Sequence, residues 1–141
     1  MQIGIIYYSQ TGSTKKLADG LGEALGIEPI DISKPHVLKN YDMLFVGCGT
    51  YNDLPSDMMI NYINNIPANS ICGAVIFMTN ATGKDSAQLL VNSLSAKGIE
   101  VYEKHFVCPC KRWLFKSKRP DNHDIARFKK FGTKIVKALQ Q

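Results

Sequence analysis

Residues 5–21 read "IIYYSQTGSTKKLADGL": an apolar run, then hydroxyl side chains around a single glycine, then helical spacing without a pause. The β-branched and aromatic residues over 2–9 suit a buried strand. From Ser13 onward Leu17, Leu21 and Leu25 recur four apart, with Ala18 and Ala24 beside them, which marks one face of a helix that Gly26 stops. The hydroxyls therefore stand where a strand passes directly into a helix. Such a helix start carries unpaired N–H groups and a partial positive charge, so it is a natural anion site. Ser9, Thr11, Ser13 and Thr14 add neutral donors, and Gly12 permits close backbone approach or a positive φ. Capping alone would need one hydroxyl; this cluster points to a captured phosphate.

Working outward, the chain alternates. "IEPIDIS" (27–33) reads as a second, short strand whose Pro29 suits a sheet edge, and "YDMLFVGCG" (41–49) as a third. "NDLPSDMMINYINNI" (52–66) predicts a helix capped by Asp53, with Pro55 near its first turn and Met59, Ile63 and Ile66 inward. "ICGAVIFMT" (71–79) is the most continuous apolar run and reads as a central parallel strand. A helix over 84–98 ends on a glycine, and "IEVYEKHFVC" (99–108) reads as the last strand. Ile125, Phe128, Ile135 and Leu139 then share one face of a closing helix over 121–141, capped by Asp121 or Asn122. Strict alternation implies one open, doubly wound α/β domain over 1–141, with parallel strands and helices on both faces. Such sheets place ligands at the carboxyl ends of their strands.

The 141 residues, 45% hydrophobic and 21% charged, are ordinary for a globular domain, and no apolar run approaches the roughly 20 residues of a membrane span. The first residues lack a basic leader and a cleavage site, so a cytoplasmic protein is expected. Cys48, Cys72, Cys108 and Cys110 are expected as reduced thiols, with Cys48 and Cys72 in the core. His36, His105 and His123 are scattered and suggest no metal site.

Several phosphate loops are excluded. No G-x-G-x-x-G follows the first strand. "MTNATGKDS" (78–86) fails as a P-loop, because Met78 replaces the first glycine and Asp85 the Ser/Thr. Tyr7-Tyr8-Ser9 offers no acidic pair of the receiver type. The stretch does resemble the flavodoxin family's phosphate-loop signature, filled at every constrained position by Ile5, Ile6, Tyr7, Ser9, Gly12, Thr14, Ala18 and Leu21. The resemblance covers the whole chain and implies a flavodoxin-like fold, a five-stranded parallel sheet in the order 2-1-3-4-5. It also implies FMN, with Ser9, Gln10, Thr11, Gly12, Ser13 and Thr14 around the 5′-phosphate.

By the same resemblance two further loops flank the flavin: Thr50, Tyr51, Asn52 and Asp53 after the third strand, and Thr79, Asn80, Ala81, Thr82 and Gly83 after the fourth. Tyr51 is the expected ring contact, while Asn80 and Thr82 are expected at the pyrimidine edge. The stacking tyrosine that electron carriers place in the second loop is missing, and Trp113 is a weak substitute. Cys108 and Cys110 form a C-x-C pair near this edge, read chiefly as small apolar residues, with a redox role open. Lys111, Arg112, Lys116, Lys118 and Arg119 crowd one loop in a chain of net charge +5. They suggest an acidic redox partner docking near 111–119 in preference to nucleic acid. The implied function is electron transfer between a reductase and an acceptor, with no catalytic acid or base assigned. A small FMN-dependent quinone or nitro-compound reductase, and a flavodoxin-fold interaction module using the basic loop, are the alternatives.

Overall fold

The computed structural model describes residues 1–51, 54–110 and 119–141. Its elements are β1 (Ile3–Tyr8), α1 (Ser13–Leu25), β2 (Ile30–Asp31), β3 (Tyr41–Tyr51), β4 (Leu54–Pro55) and α2 (Asp57–Asn64). They continue with β5 (Ile71–Asn80), α3 (Gln88–Ala96), β6 (Glu100–Val101), β7 (Phe106–Pro109) and α4 (Asn122–Leu139). The sheet runs β2-β1-β3-β5-β6, with β7 also on β5, so β6 and β7 together take the place of the expected fifth strand. All these pairings are parallel; only β4 turns back antiparallel on the end of β3, with Thr50 opposite Pro55.

Strand alternation sorts the core into two layers. Leu44, Val46, Ile76 and Met78 face Met59 and Ile63 of α2 and Leu90 and Leu94 of α3. Ile5, Phe45, Val75 and Phe77 face Leu17 and Leu21 of α1 and Phe128, Ile135 and Val136 of α4. Helices thus cover both faces, as doubly wound topology requires. The α1–α4 seam depends on small residues. A Cβ at Gly20 would stand 2.5 Å from Ile125 Cγ2, and one at Gly132 would stand 2.5 Å from Leu21 Cδ1.

Several expected boundaries move, each for a local reason. The second strand shrinks from 27–33 to Ile30–Asp31. Ile27 N–H closes α1 on the Gly22 carbonyl at 2.9 Å, Pro29 has no N–H to give, and Asp31 turns its carboxylate back to Ser33 N–H at 3.0 Å. The helix expected over 52–66 begins at Asp57, with Ser56 rather than Asp53 at the cap position. Pro55 lies in β4, not in the first helical turn. The third helix begins at Gln88 rather than 84, because Asp85 Oδ1 first accepts Ala87 N–H at 3.0 Å in a turn. Ala24 and Leu139, expected inward, are exposed. Cys72, expected in the core, is also exposed, at the amino-terminal rim of the sheet.

The start of α4 is held by a denser device. Asp121 Oδ1 accepts Asp124 N–H at 2.9 Å and Asp124 Oδ2 accepts Asp121 N–H at 3.0 Å, a reciprocal capping box. Arg119 grips the same carboxylate from both sides, Nε to Oδ2 at 3.0 Å and Nη2 to Oδ1 at 2.7 Å. The Arg119 hydrogen bonds hold the Asp124 carboxyl far below the ordinary carboxylate range, against the opposing effect of burial. A depressed folded value stabilises above about pH 4 and is lost as the unfolded chain takes up the proton at lower pH. Asp124→Asn is expected to cost about 2 kcal/mol at neutral pH. Denaturant titrations of the two proteins at pH 7 and pH 3 check this: their midpoints should lie closer together at the lower pH.

Candidate functional site

Parallel registration brings the carboxyl ends of the strands to one edge. Tyr8 pairs with Cys48, Gly49 with Thr79, and Thr79 in turn with Cys108. Here β1 leads outward to β2 on one side while β3 and β5 continue on the other, which is the switch point where an open α/β sheet leaves a crevice.

The loop after β1 is built around Gly12, whose φ of 93° is left-handed and favours glycine. Its N–H donates to Ser9 Oγ at 3.0 Å, and its carbonyl accepts Lys16 N–H at 3.2 Å, so it opens α1. Among the described residues no side chain caps that helix, and no acidic residue lies in its first turn. The hydroxyls are therefore not doing the work of an N-cap. Thr14, buried, shares a 2.9 Å hydrogen bond with Thr79 Oγ1 and pins the loop to β5. Lys15 pairs outward with Asp19 at 2.5 Å, so its charge turns away from the loop.

A cavity of about 200 Å³ opens against this helix start, lined by Thr11, Ser13, Gly49, Thr50, Thr79, Asn80, Ala81 and Cys110. Three of the expected loops thus meet there: Thr11 and Ser13 from the first, Thr50 from the second, and Thr79, Asn80 and Ala81 from the third. Ser9, Gln10, Gly12, Thr14, Thr82 and Gly83 belong to the same loops without lining it. The Tyr51 side chain, Asn52 and Asp53 lie outside the described residues, as do Trp113 and the basic run over 111–118. Arg119, the remaining member of that run, is matched by Asp124.

The loop after β5 is self-organised. Asn80 Nδ2 donates to the Lys84 carbonyl at 2.6 Å, and its Oδ1 accepts Gly83 N–H at 2.6 Å across a left-handed Gly83. Thr82 Oγ1 accepts Lys84 N–H at 3.2 Å. The Asn80 amide is thus engaged in shaping the loop rather than presented outward. Below it, Asp85 Oδ2 meets His105 Nδ1 at 2.8 Å and ties the loop to the approach to β7.

Two further lining residues are Gly49, in the stretch leading into the loop after the third strand, and Cys110, from the C-x-C pair expected near this edge. Cys110 arrives through the ladder: its N–H donates to the Asn80 carbonyl at 2.5 Å, one step beyond the Asn80–Pro109 pair. The C-x-C spacing was the available signal. Whether the residues fit an anionic cofactor can be judged from the loop itself. An uncapped helix start, open space where a Gly12 side chain would stand and a cavity walled by hydroxyls and amides all suit a phosphate held by neutral groups. Among the described residues no cluster of His, Cys, Asp or Glu is arranged to hold a metal ion, and no helix is long and apolar enough to cross a membrane.

A family model described as a flavodoxin domain matches residues 4–108. A flavodoxin from Picosynechococcus sp. (strain ATCC 27264 / PCC 7002 / PR-6) is 34% identical over 64 residues, covering 40% of this chain and 38% of that protein. The match thus spans little more than a third of that relative's length. The crystal structure of oxidised Flavodoxin 1 from Bacillus cereus superposes with a TM-score of 0.73 at 21% identity, covering 97% of this chain and 98% of the other. Rubredoxin oxygen:oxidoreductase from Desulfovibrio gigas gives a TM-score of 0.70 at 21% identity, over 98% of this chain and 36% of that one. At these identities the superpositions establish the fold.

Proposed function

The chain belongs to the flavodoxin family, whose members bind FMN, and we propose on that premise that it carries electrons between a reductase and an acceptor. One observation supports the assignment above all: the start of α1, capped by no side chain among the described residues, opens through a loop over 9–14 that contains no basic residue onto the cavity at the sheet's carboxyl edge. FMN, when bound, supplies one- and two-electron chemistry, and the protein supplies capture and orientation. Ser9, Gln10, Thr11, Gly12, Ser13 and Thr14 would hold the phosphate with neutral hydroxyls and backbone N–H groups. Thr50, Tyr51, Asn52 and Asp53 would flank the ring system on one side and Thr79, Asn80, Ala81, Thr82 and Gly83 on the other. Asn80 acts there by fixing the loop's shape, which leaves backbone amides to meet the ligand.

The redox partner is proposed to be acidic and to dock near residues 111–119. The net charge of +5 supports this, as do the exposed Lys130, Lys134 and Lys137 along α4. Arg119 is held by Asp124, which favours Lys111, Arg112, Lys116 and Lys118 as the recognising charges. Four free thiols accord with a reducing compartment, so the cytoplasm is the proposed location. A second reading, a small FMN-dependent reductase, is favoured by one feature: the loop Thr79–Gly83 contains no aromatic ring to cover that side of the cavity.

Titration with FMN and with riboflavin tests the assignment. FMN should bind with quenched flavin fluorescence at least about tenfold more tightly than riboflavin, a gap of about 1.4 kcal/mol from phosphate capture. Equal affinity for the two would remove the phosphate from the loop. Turnover of quinones with reduced nicotinamide then separates the readings, since a carrier stays nearly inactive until a reductase is added. Repeating that coupled assay at rising salt tests the partner's sign, because opposite charges lose rate as they are screened.

A further inference from the structure

The two cysteines at the end of β7 form an arrangement that phosphate capture does not require. Their sulfurs lie 3.7 Å apart and share a hydrogen bond. Cys108 is wholly buried on the α1–α4 side of the sheet, whereas Cys110 is half-buried and lines the cavity. Residues two apart on an extended chain have Cα atoms about 6.6 Å apart, at the long end of the roughly 4.4–6.8 Å of disulfides. Their Cβ atoms must approach to about 4.5 Å, so closure requires the chain at Cys110, one residue beyond the end of β7, to turn from extended geometry. The other two thiols are placed differently. Cys48 is buried, and burial pushes its thiol up to about 11; Cys72 is exposed at the opposite rim of the sheet.

We propose that Cys108 and Cys110 are a redox-active thiol pair that exchanges with small-molecule disulfides entering the cavity and closes to an intramolecular disulfide. The order of events follows from exposure. Cys110 Sγ, its proton released to solvent, attacks one sulfur of R–S–S–R, so that a Cys110–S–S–R bond forms and the first thiolate RS⁻ leaves and takes up a proton from solvent. Cys108 Sγ, already in contact, then attacks Cys110 Sγ and expels the second RS⁻, which takes up the Cys108 proton. The protein pair is oxidised by two electrons, and the small disulfide is reduced to two thiols.

The surroundings favour the same division of labour. The contact with Cys108 lowers the Cys110 thiol below its ordinary value against burial and the Asp124 charge, with smaller help from Arg119 and the Ser13 hydroxyl. The same contact, together with burial, pushes Cys108 up. Thiolate character therefore gathers on the sulfur that faces the cavity. The proposal uses only the chain's own sulfurs; because Cys110 lines the cavity in which FMN is proposed to sit, bound FMN should slow the exchange.

The test uses the full-length Cys72→Ser protein, which removes the exposed thiol, incubated natively with glutathione disulfide and mapped by peptide mass spectrometry. Two thiols should be lost, with a link between residues 108 and 110 and no glutathione retained. In Cys72→Ser/Cys108→Ser one glutathione should remain attached to Cys110. An unreactive Cys110, or a glutathione adduct that persists on Cys110 while Cys108 is present, would overturn the proposal. The first protein decides the matter even if the second folds poorly.

Discussion

Thr11→Asp is expected to abolish tight FMN binding while leaving the protein folded. Thr11 is exposed and lines the cavity at the start of α1, so a carboxylate there occupies the region that the phosphate needs. Two like charges about 4 Å apart oppose each other by about 4 kcal/mol at an effective dielectric near 20, and a dianion meets more than one such term. A loss of about 100-fold or more in affinity, equivalent to about 2.8 kcal/mol, is the expected outcome. Riboflavin lacks the phosphate and should lose less than about threefold. The same carboxylate lies near the positive end of α1, whose first turn holds no acidic residue, so the helix gains about 0.3–1 kcal/mol. Fluorescence titration with both flavins, beside thermal melts, separates these effects. An unchanged FMN affinity would place the phosphate elsewhere on the protein.

That experiment concerns the part of the molecule most legible in the sequence, and for a physical reason. A strand that becomes a helix within six residues is a local event, so Gly12 and its flanking hydroxyls declared it without help from distant residues. Alternation of apolar strands with amphipathic helices likewise fixed the doubly wound sheet, because each pattern reports which face meets the core. What escaped depends on residues far apart in the chain. The C-x-C spacing placed Cys110 near this edge, but its seat in the cavity wall comes from β7 registering against β5 and extending the ladder by one amide. Asn80 could have faced a ligand or folded back; the left-handed Gly83 three residues later decides for folding back. The start of α2 slipped from Asp53 to Ser56 because Leu54 and Pro55 found ladder partners on β3, a tertiary option that outweighed a favourable capping residue. Cys72 lay in the most apolar run of the chain, yet the rim of the sheet leaves it exposed.

Phe128→Ala should be the most destabilising single truncation of the α1–α4 face. Phe128 is wholly buried, with ring centroids 4.7 Å from Phe77 and 4.9 Å from Phe106 and a stacked partner, Phe131, at 6.3 Å. Deleting such a ring costs about 3–5 kcal/mol from lost transfer energy and the cavity left behind, and loss of the aromatic pairs falls within the upper part of that range. For a chain of this size the melting temperature should drop by roughly 10–15 °C. Phe128→Leu, which refills most of the space, should lose less than half as much. The site should respond differently from the fold. The phosphate loop is pinned to β5 through Thr14 and Thr79, so FMN affinity per folded molecule should stay within about threefold. Ligand at 100 times its dissociation constant returns about 2.7 kcal/mol, enough to restore much of the lost melting temperature. A variant that melted low and also failed to bind FMN when folded would mean that the closing helix, and the β7 segment it packs upon, shape the cofactor site directly.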